Sequence, residues 1–436
     1  MNKTQKRLSM QKTKDTKQKS AKQLMVNGPL NIIRVEGKIN GKLKVLYLFG
    51  DIHIAAENQT ECDDIHAHDV DKYILEQFKK QCEETKNKNG SCDNEQKIDM
   101  FLEISPDGMT RDSFYNTQKH IYIRKIGKIF MNQFMTHKNK TILANDYDNV
   151  RLHYIDFRTY FPTLLSDAID LMVNKTRDYG VLRIKIHDNI SLIKIIKTQC
   201  INMLKIMKKP KKNNVNIQID ATRDKIDVTE TTDIQKFQIL ENMFYKIRNV
   251  YHNDDVKQKM NEAFDLHVVK EYENFIKYVE ETQLAFDNLL IKTDESKYKL
   301  IYKKNGFLSD AYHGYDDNIE NIQKELSVRV NKIHDYESTL NFMIIDYYMV
   351  RRMLDKEYIS NSIHYAGLAH TANTIYLLLK YFDFDITHIA KSSGNDLKKL
   401  KKNIVNLKYP SEAIFYIIPP EKLQCSNLTN FPEQFK

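Results

Sequence analysis

The chain has 436 residues, 41% of them hydrophobic and 29% charged, with 25 Tyr, 20 Phe, no Trp and a formal net charge of +9. That supplies a sizeable core and room for two or three domains, while only 12 Gly and 8 Pro argue against a turn-rich all-β fold and for much helix. No apolar run reaches the roughly 18 residues of a membrane span, and the polar, basic N-terminus lacks the apolar stretch of a secretory signal.

The charge is unevenly placed. Residues 1–24 carry eight Lys/Arg and one Asp, a surplus of +7 out of the total of +9, so the remaining chain is near neutral at about +2. Residues 1–27 read as a disordered basic tail with too little apolar surface to order itself. Such a tail can contact a polyanion weakly and in a salt-sensitive way. The five Cys (Cys62, Cys82, Cys92, Cys200, Cys425) are odd in number, scattered and without a CxxC pair. That pattern disfavours a disulfide framework or a structural zinc site and points to a reducing, cytoplasmic setting.

Taken in order, residues 30–39 and 43–49 predict a hairpin about Asn40-Gly41, a strong short-range turn signal. The second run, Val45 to Phe49, is apolar without alternation, as a strand buried on both faces requires. It ends in Gly50-Asp51-Ile52-His53. Helix is predicted over about 69–84, with the cluster Cys62, Asp63, Asp64, His66, His68, Asp69 before it reading as a solvated loop. A second buried strand covers 98–104 and contains Glu103. Helix over 117–135 and a third strand over 150–158 follow, the latter containing Asp156 and Arg158. Strand, helix, strand, helix, strand is the signature of a parallel sheet covered by helices.

From about 190 to 357 the apolar spacing is helical throughout, with a polar linker at 208–232. On the last of these helices Asp346 and Arg351 read as a structural pair. A strand over 362–367, a turn Leu368-Ala369-His370 and a helix over 371–382 then resume the sheet pattern, and Ala413 to Ile418 is one more strand candidate. The expected architecture is α/β: a mostly parallel central sheet flanked by helices, with a large helical insertion before the last core strand. Its expected segments are 1–27 (tail), 28–189 (first part of the α/β core), 190–357 (insertion) and 358–436 (last part of the core).

In open α/β sheets chemistry collects at the carboxyl ends of the strands. His53, Glu103, His370, Asp51 and Arg158 all stand there, on different strands. Two imidazoles with carboxylates can hold a divalent metal or act as base and acid on a bound water. Arg158, always charged and fork-shaped, can clamp an anionic group or pair with Glu103.

This set of motifs, Gly50-Asp51-Ile52-His53, Glu103 and Gly367-Leu368-Ala369-His370, resembles that of a clan containing the erythromycin esterases, the ChaN-like haem-binding lipoproteins and the TraB/PrgY/Tiki proteins. Similar proteins occur in large DNA viruses. The resemblance implies a hydrolase whose core is His53, Glu103 and His370, acting on a small-molecule or peptide substrate. It implies a metal, held by Asp51, His53, Glu103 and His370, in the Tiki branch and none in the esterase branch. It leaves open a non-catalytic ligand binder or a virion structural protein on the same fold, in the host cytoplasm or the particle. Gly-Asp-Ile-His also resembles the first motif of calcineurin-like metallophosphoesterases, but the later Gly-Asn-His and Gly-His-x-His motifs of that family are absent.

Overall fold

The computed structural model describes residues 23–52, 58, 60–86, 97–104, 121–131, 135–137, 140–142, 149–161, 179–213, 233–292, 308–391 and 396–435. The central sheet has six strands: β2 (Asn31–Ile39), β3 (Lys42–Asp51), β5 (Ile98–Leu102), β8 (Val150–Tyr154), β9 (Asn361–Gly367) and β10 (Asp385–Ile389). Two strands, β1 (Met25–Asn27) and β4 (His68–Asp69), join the late β11 (Cys425–Asn427) in a small second sheet, and β6 (Met135–His137) pairs with β7 (Lys140–Ile142).

The order across the central sheet is β10-β2-β3-β9-β5-β8. The four strands β3, β9, β5 and β8 run parallel, whereas β2 and β10 are antiparallel to their neighbours. The sheet is therefore mixed, and the mostly parallel expectation holds only for its four-strand core. The hairpin is as read from the sequence: Asn40 and Gly41 both have positive φ, at 50° and 76°, which matches the right-handed strand twist.

Two other expectations are corrected. Residues 413–418 do not form a strand: Pro410–Ala413 is a 3₁₀ turn and Ile414–Ile417 a short helix. Pro410 starts the turn and the Glu412 carboxylate accepts from the Tyr409 amide, so the local chain is already committed to a helical entry. The sixth strand is instead β10, whose alternating polar residues suit the edge position it takes. The tail does not extend to residue 27, because Met25–Asn27 is a strand in register with Cys425–Asn427.

Helices cover both faces. On one face α1 (Val70–Thr85) and α2 (Ile121–Met131) pack with Tyr47, Phe49, Met100, Leu102 and Tyr365. On the other, α8 (Leu368–Phe382) lies against the sheet through Leu368, Ala372 and Ile375, beside Leu46, Leu48 and Phe101. Strand alternation sorts these side chains, since residues two apart share a face. Gly50 is what lets α8 start so close: a Cβ there would meet Leu368 Cδ1 at 2.6 Å.

The helical segment is continuous with this second face. It comprises α3 (Tyr179–Lys208), α4 (Asp233–Asn249), α5 (Asp254–Phe264), a π-turn (Asp265–Val269), α6 (Lys270–Lys292) and α7 (Leu308–Asp355). Its apolar residues and those of the sheet form one core cluster. The buried Lys44 joins the two layers by donating to the carbonyls of Met353, Lys356 and Ile359 at the end of α7, at 3.0, 2.7 and 2.6 Å. No helix among the described residues is long and apolar enough to cross a membrane.

The cysteine reading is also corrected. Cys62 and Cys425 form a disulfide with Cα atoms 4.9 Å apart, 363 positions apart in sequence, and Cys82 is disulfide-bonded too. Pairing at that separation cannot be read from spacing alone. It is brought about by the β1–β11 ladder, which folds the end of the chain back onto its beginning. Cys200 is a buried free thiol. Disulfides persist in oxidising surroundings, so the reducing setting inferred from cysteine spacing loses its ground.

Candidate functional site

The carboxyl ends of β5 and β9 lie side by side, and Glu103 follows β5 directly. Its amide donates to the Tyr365 carbonyl at 3.1 Å, which extends the ladder by one step and fixes the side chain's direction. Phe101 points to the α8 face, so Glu103, two residues on, points there too. Its Oε2 accepts the Gly367 N–H at 2.7 Å, an N–H freed where β9 turns into α8. Its Oε1 accepts from an Arg158 terminal nitrogen at 2.9 Å and lies 3.2 Å from His370 Nε2. The last contact is an ion pair rather than a well-directed hydrogen bond.

His370 sits in the first turn of α8, and its other nitrogen, Nδ1, lies 2.6 Å from Asp346 Oδ1 on α7. Asn373, one turn further along α8, donates to the second Asp346 oxygen at 2.8 Å. His370 thus stands between two buried carboxylates. Burial alone would push the imidazolium down, but Asp346 and then Glu103 reverse this and raise it to about 10. The Phe342 ring packs against His370 at 5.0 Å and under the Arg158 guanidinium at 5.3 Å, adding apolar contact to both cations.

Arg158 is gripped by Asp156, whose Oδ1 and Oδ2 accept from it at 2.8 and 2.7 Å. Burial would lower its pKa, but Asp156 and Glu103 raise it instead. It is the cation of the network that reaches solvent, with a side chain 39% exposed against 2% for Glu103 and 3% for His370. A line of alternating charge therefore runs Asp156, Arg158, Glu103, His370, Asp346, from the surface into the core.

Of the residues singled out from the sequence, the structure brings Glu103, His370 and Arg158 together. His53 lies outside the described residues. Asp51 ends β3 at the same rim but faces the other side of the sheet, with Tyr47 and Phe49. Its carboxylate accepts from the Ile52 amide at 2.7 Å, Gln424 Nε2 at 3.1 Å and the Tyr365 hydroxyl at 3.3 Å. Asp51 therefore does not share a site with Glu103 and His370.

At His370 and Asp51 that geometry does not fit the metal the resemblance allows. A histidine ligand needs a ring nitrogen with a free lone pair, both His370 nitrogens face carboxylates, and Asp51 lies on the other face of the sheet. Among the described residues no group of three or more His, Cys, Asp or Glu is placed to hold an ion.

Two residues were missed from the sequence. Asp346 was paired with Arg351, but Arg351 donates to the Val250 carbonyl and stacks on Tyr251 instead. The clue to Asp346 was a carboxylate set in an apolar helix run, which needs a buried partner. The second is His364, wholly buried on β9 between Leu48 and Phe101. Among the described residues neither of its ring nitrogens meets a partner, and burial, with His370 nearby, pushes it down to about 3. It is a neutral imidazole beside a charged one.

The comparisons with known proteins agree on a family and carry no activity. Residues 24–436 match the model of a family of unknown function, DUF5847. The chain is 32% identical over 425 residues to Uncharacterized protein R706 of Acanthamoeba polyphaga mimivirus, covering 94% of this chain and 97% of that protein. It is 30% identical over 452 residues to Uncharacterized protein R161 of the same virus, covering 95% and 98%. No solved structure matches the chain.

Proposed function

This chain belongs to the family of unknown function DUF5847, and we propose that the rim built on Glu103 is a metal-independent hydrolase site for a small-molecule or peptide substrate. The observation that carries this reading is the buried Asp346–His370–Glu103 line ending in a solvent-reaching Arg158, at the carboxyl ends of parallel strands. The resemblance of the Gly50–His53, Glu103 and Gly367–His370 motifs to the erythromycin esterase and Tiki clan points the same way.

The roles follow from the charges. A His370 held protonated cannot take a proton from water, so it is not the base. It fixes the Glu103 carboxylate and lends the rim positive potential. Arg158 presents N–H donors to an oxyanion or to a substrate carboxylate. The base falls to His53, the imidazole that the resemblance places in the core of the site. A neutral imidazole can abstract a proton near neutral pH.

The test is a screen of the full chain against ester, lactone and amide substrates with a chelator present. Turnover that survives chelation and is lost in His53→Ala and Glu103→Gln supports the reading. Turnover that needs added metal, or that is unchanged in His53→Ala, overturns it. A structural role is the second reading, favoured by one observation: Glu103 receives contacts from the segment after β8, from the end of β9 and from α8, and so staples these three together. In that case Glu103→Gln lowers stability and no substrate of the panel is turned over.

A further inference from the structure

The Cys62–Cys425 bridge stands apart from the Glu103 rim. Cys62 lies in the segment before β4 and is partly exposed, whereas Cys425 is 7% exposed at the start of β11. A thiolate arriving from solvent therefore meets Cys62 first. Around that sulfur the chain is acidic: Glu61 and Asp63 are exposed, and Asp64 is half-buried. Every attacking thiolate is negative at sulfur, so repulsion there is greatest for one that also carries a carboxylate and least for one that carries an ammonium.

The bridge also secures a strap. Residues 424–435 run back over the sheet face opposite Glu103. Gln424 donates to Asp51 Oδ1 at 3.1 Å and exchanges two bonds with Thr60, at 2.9 and 3.3 Å. Leu428 donates to the Leu24 carbonyl at 2.7 Å. Phe435, 2% exposed, packs its ring edge-on to Tyr47, Phe49 and Tyr73 at 4.9, 6.1 and 5.9 Å, while the Tyr47 hydroxyl donates to the Gln434 carbonyl at 3.1 Å. Among the described residues one covalent tie, Cys62–Cys425, joins this strap to the segment between β3 and β4.

We propose that Cys62–Cys425 is a reversible thiol–disulfide site that takes an uncharged or cationic dithiol, and that its reduction loosens the 424–435 strap from the sheet. A dithiol's thiolate attacks Cys62 Sγ, forming a mixed disulfide, and Cys425 leaves as a thiolate that gains a proton. The dithiol's second sulfur then attacks the first, expelling Cys62, which is protonated in turn. The dithiol is oxidised to its cyclic disulfide, and the protein gains two electrons and two protons.

The full-length oxidised chain is exposed to three dithiols at matched thiolate concentration: dithiobutylamine (an added ammonium), dithiothreitol (no added charge) and dihydrolipoate (an added carboxylate). Cys62 and Cys425 alkylation is followed by peptide mass, which separates them from Cys82, Cys92 and Cys200. Dithiobutylamine and dithiothreitol should open the bridge at least about fivefold faster than dihydrolipoate, and 1 M salt should collapse that ratio. Amide hydrogen exchange at Asn27, Cys425 and Leu428 should rise at least about tenfold in the reduced protein and in Cys62→Ser, while the β3–β9 amides stay protected. Dihydrolipoate matching the others overturns the ligand class. Unchanged exchange at Leu428 in the reduced protein overturns the strap. Exchange that rises throughout the sheet also overturns it, because the bridge would then hold the whole fold.

Discussion

Strand β5 carries a carboxylate near each end, and the chain supplies each with an Arg and a His. At the lower end Asp99 accepts from Arg151 at 2.8 and 2.6 Å and lies 2.7 Å from His153 Nε2. Both partners come from the neighbouring strand β8, in register with Asp99 or two residues on. At the upper end the partners of Glu103 come from the segment after β8 and from α8, with α7 behind them. The two histidines differ in charge as a result. His153 has one carboxylate, shared with an Arg, and burial keeps its pKa lowered. His370 has two carboxylates and is raised to about 10. The number of carboxylates facing a buried imidazole decides whether burial or Coulomb attraction wins. The lower cluster takes both of its cations from one neighbouring strand, with Arg151 also donating to the Tyr358 carbonyl at 2.9 Å, while the upper one spans three layers and ends in the more exposed Arg158.

The largest expected effect breaks the comparison at its lower end. Asp99→Ala leaves Arg151 and His153 without their shared carboxylate in a buried place, which costs about 3–5 kcal/mol. Chemical denaturation should show that loss, while any hydrolytic activity of the folded protein stays within about twofold. Glu103→Gln should give the reverse, a smaller stability loss with activity abolished. Equal stability losses with activity intact in both would make the two ends alike and both structural.

The next effect is one of sign. His370 is raised above its unfolded value of about 6.5, so its stabilisation is fully present below pH 6.5 and is lost as pH rises towards 10. His153 is lowered, so the stability linked to it is present above pH 6.5 and is lost as pH falls through its folded value. Denaturation of His153→Gln and His370→Gln from pH 5 to 10 should show the two differences from the parent protein sloping in opposite directions. Parallel slopes would mean that the two imidazoles carry the same charge.

Much of this arrangement was legible beforehand. Glu103, His370 and Arg158 each follow an apolar run, and a polar residue just past a buried strand is visible in any linear reading. Asp51 stands in the same kind of place, but the face it takes depends on parity counted from neighbours on other strands, and the order of those strands is not in the sequence. Asp346 was hidden for another reason. Its partner sits 24 positions away across a helix–strand–helix turn, whereas Arg351 stood close by in sequence. The Cys62–Cys425 bridge was illegible because its 363-residue separation leaves nothing local to read. Strand β10 was missed because Asp385, Thr387 and His388 interrupt its apolar residues, as an edge strand permits.

A third experiment sharpens the comparison by converting one end into the other. Asp346→Asn removes one of the two carboxylates facing His370 and leaves Glu103, so His370 is placed much as His153 is. Histidine-resolved NMR titration should show the His370 transition moving down from about 10 towards the neutral range. The stability loss at pH 7 should be about 1–3 kcal/mol, the cost of an imperfectly matched buried polar pair. A transition that does not move would mean that Glu103 alone holds the proton on His370.

The smallest expected effect on stability is also the one that most separates a site from a staple. Arg158→Lys keeps the charge but loses the fork that bridges Asp156 and Glu103. Because the Arg158 side chain is 39% exposed, solvent already screens much of its attraction, and the loss should stay within about 1 kcal/mol. Arg151→Lys at the lower end removes a similar fork from a carboxylate that is fully buried, so its stability loss should be the larger. Activity should respond in the opposite order: about a hundredfold lower kcat/KM in Arg158→Lys, through lost two-point contact with the substrate's anionic oxygen, and no change in Arg151→Lys. A thermal-shift series read beside initial rates decides it. If Arg158→Lys lowers the melting temperature as much as Arg151→Lys and leaves rates untouched, then the upper Arg is a staple like the lower one, and the surface-reaching end of the Glu103 line has no substrate to hold.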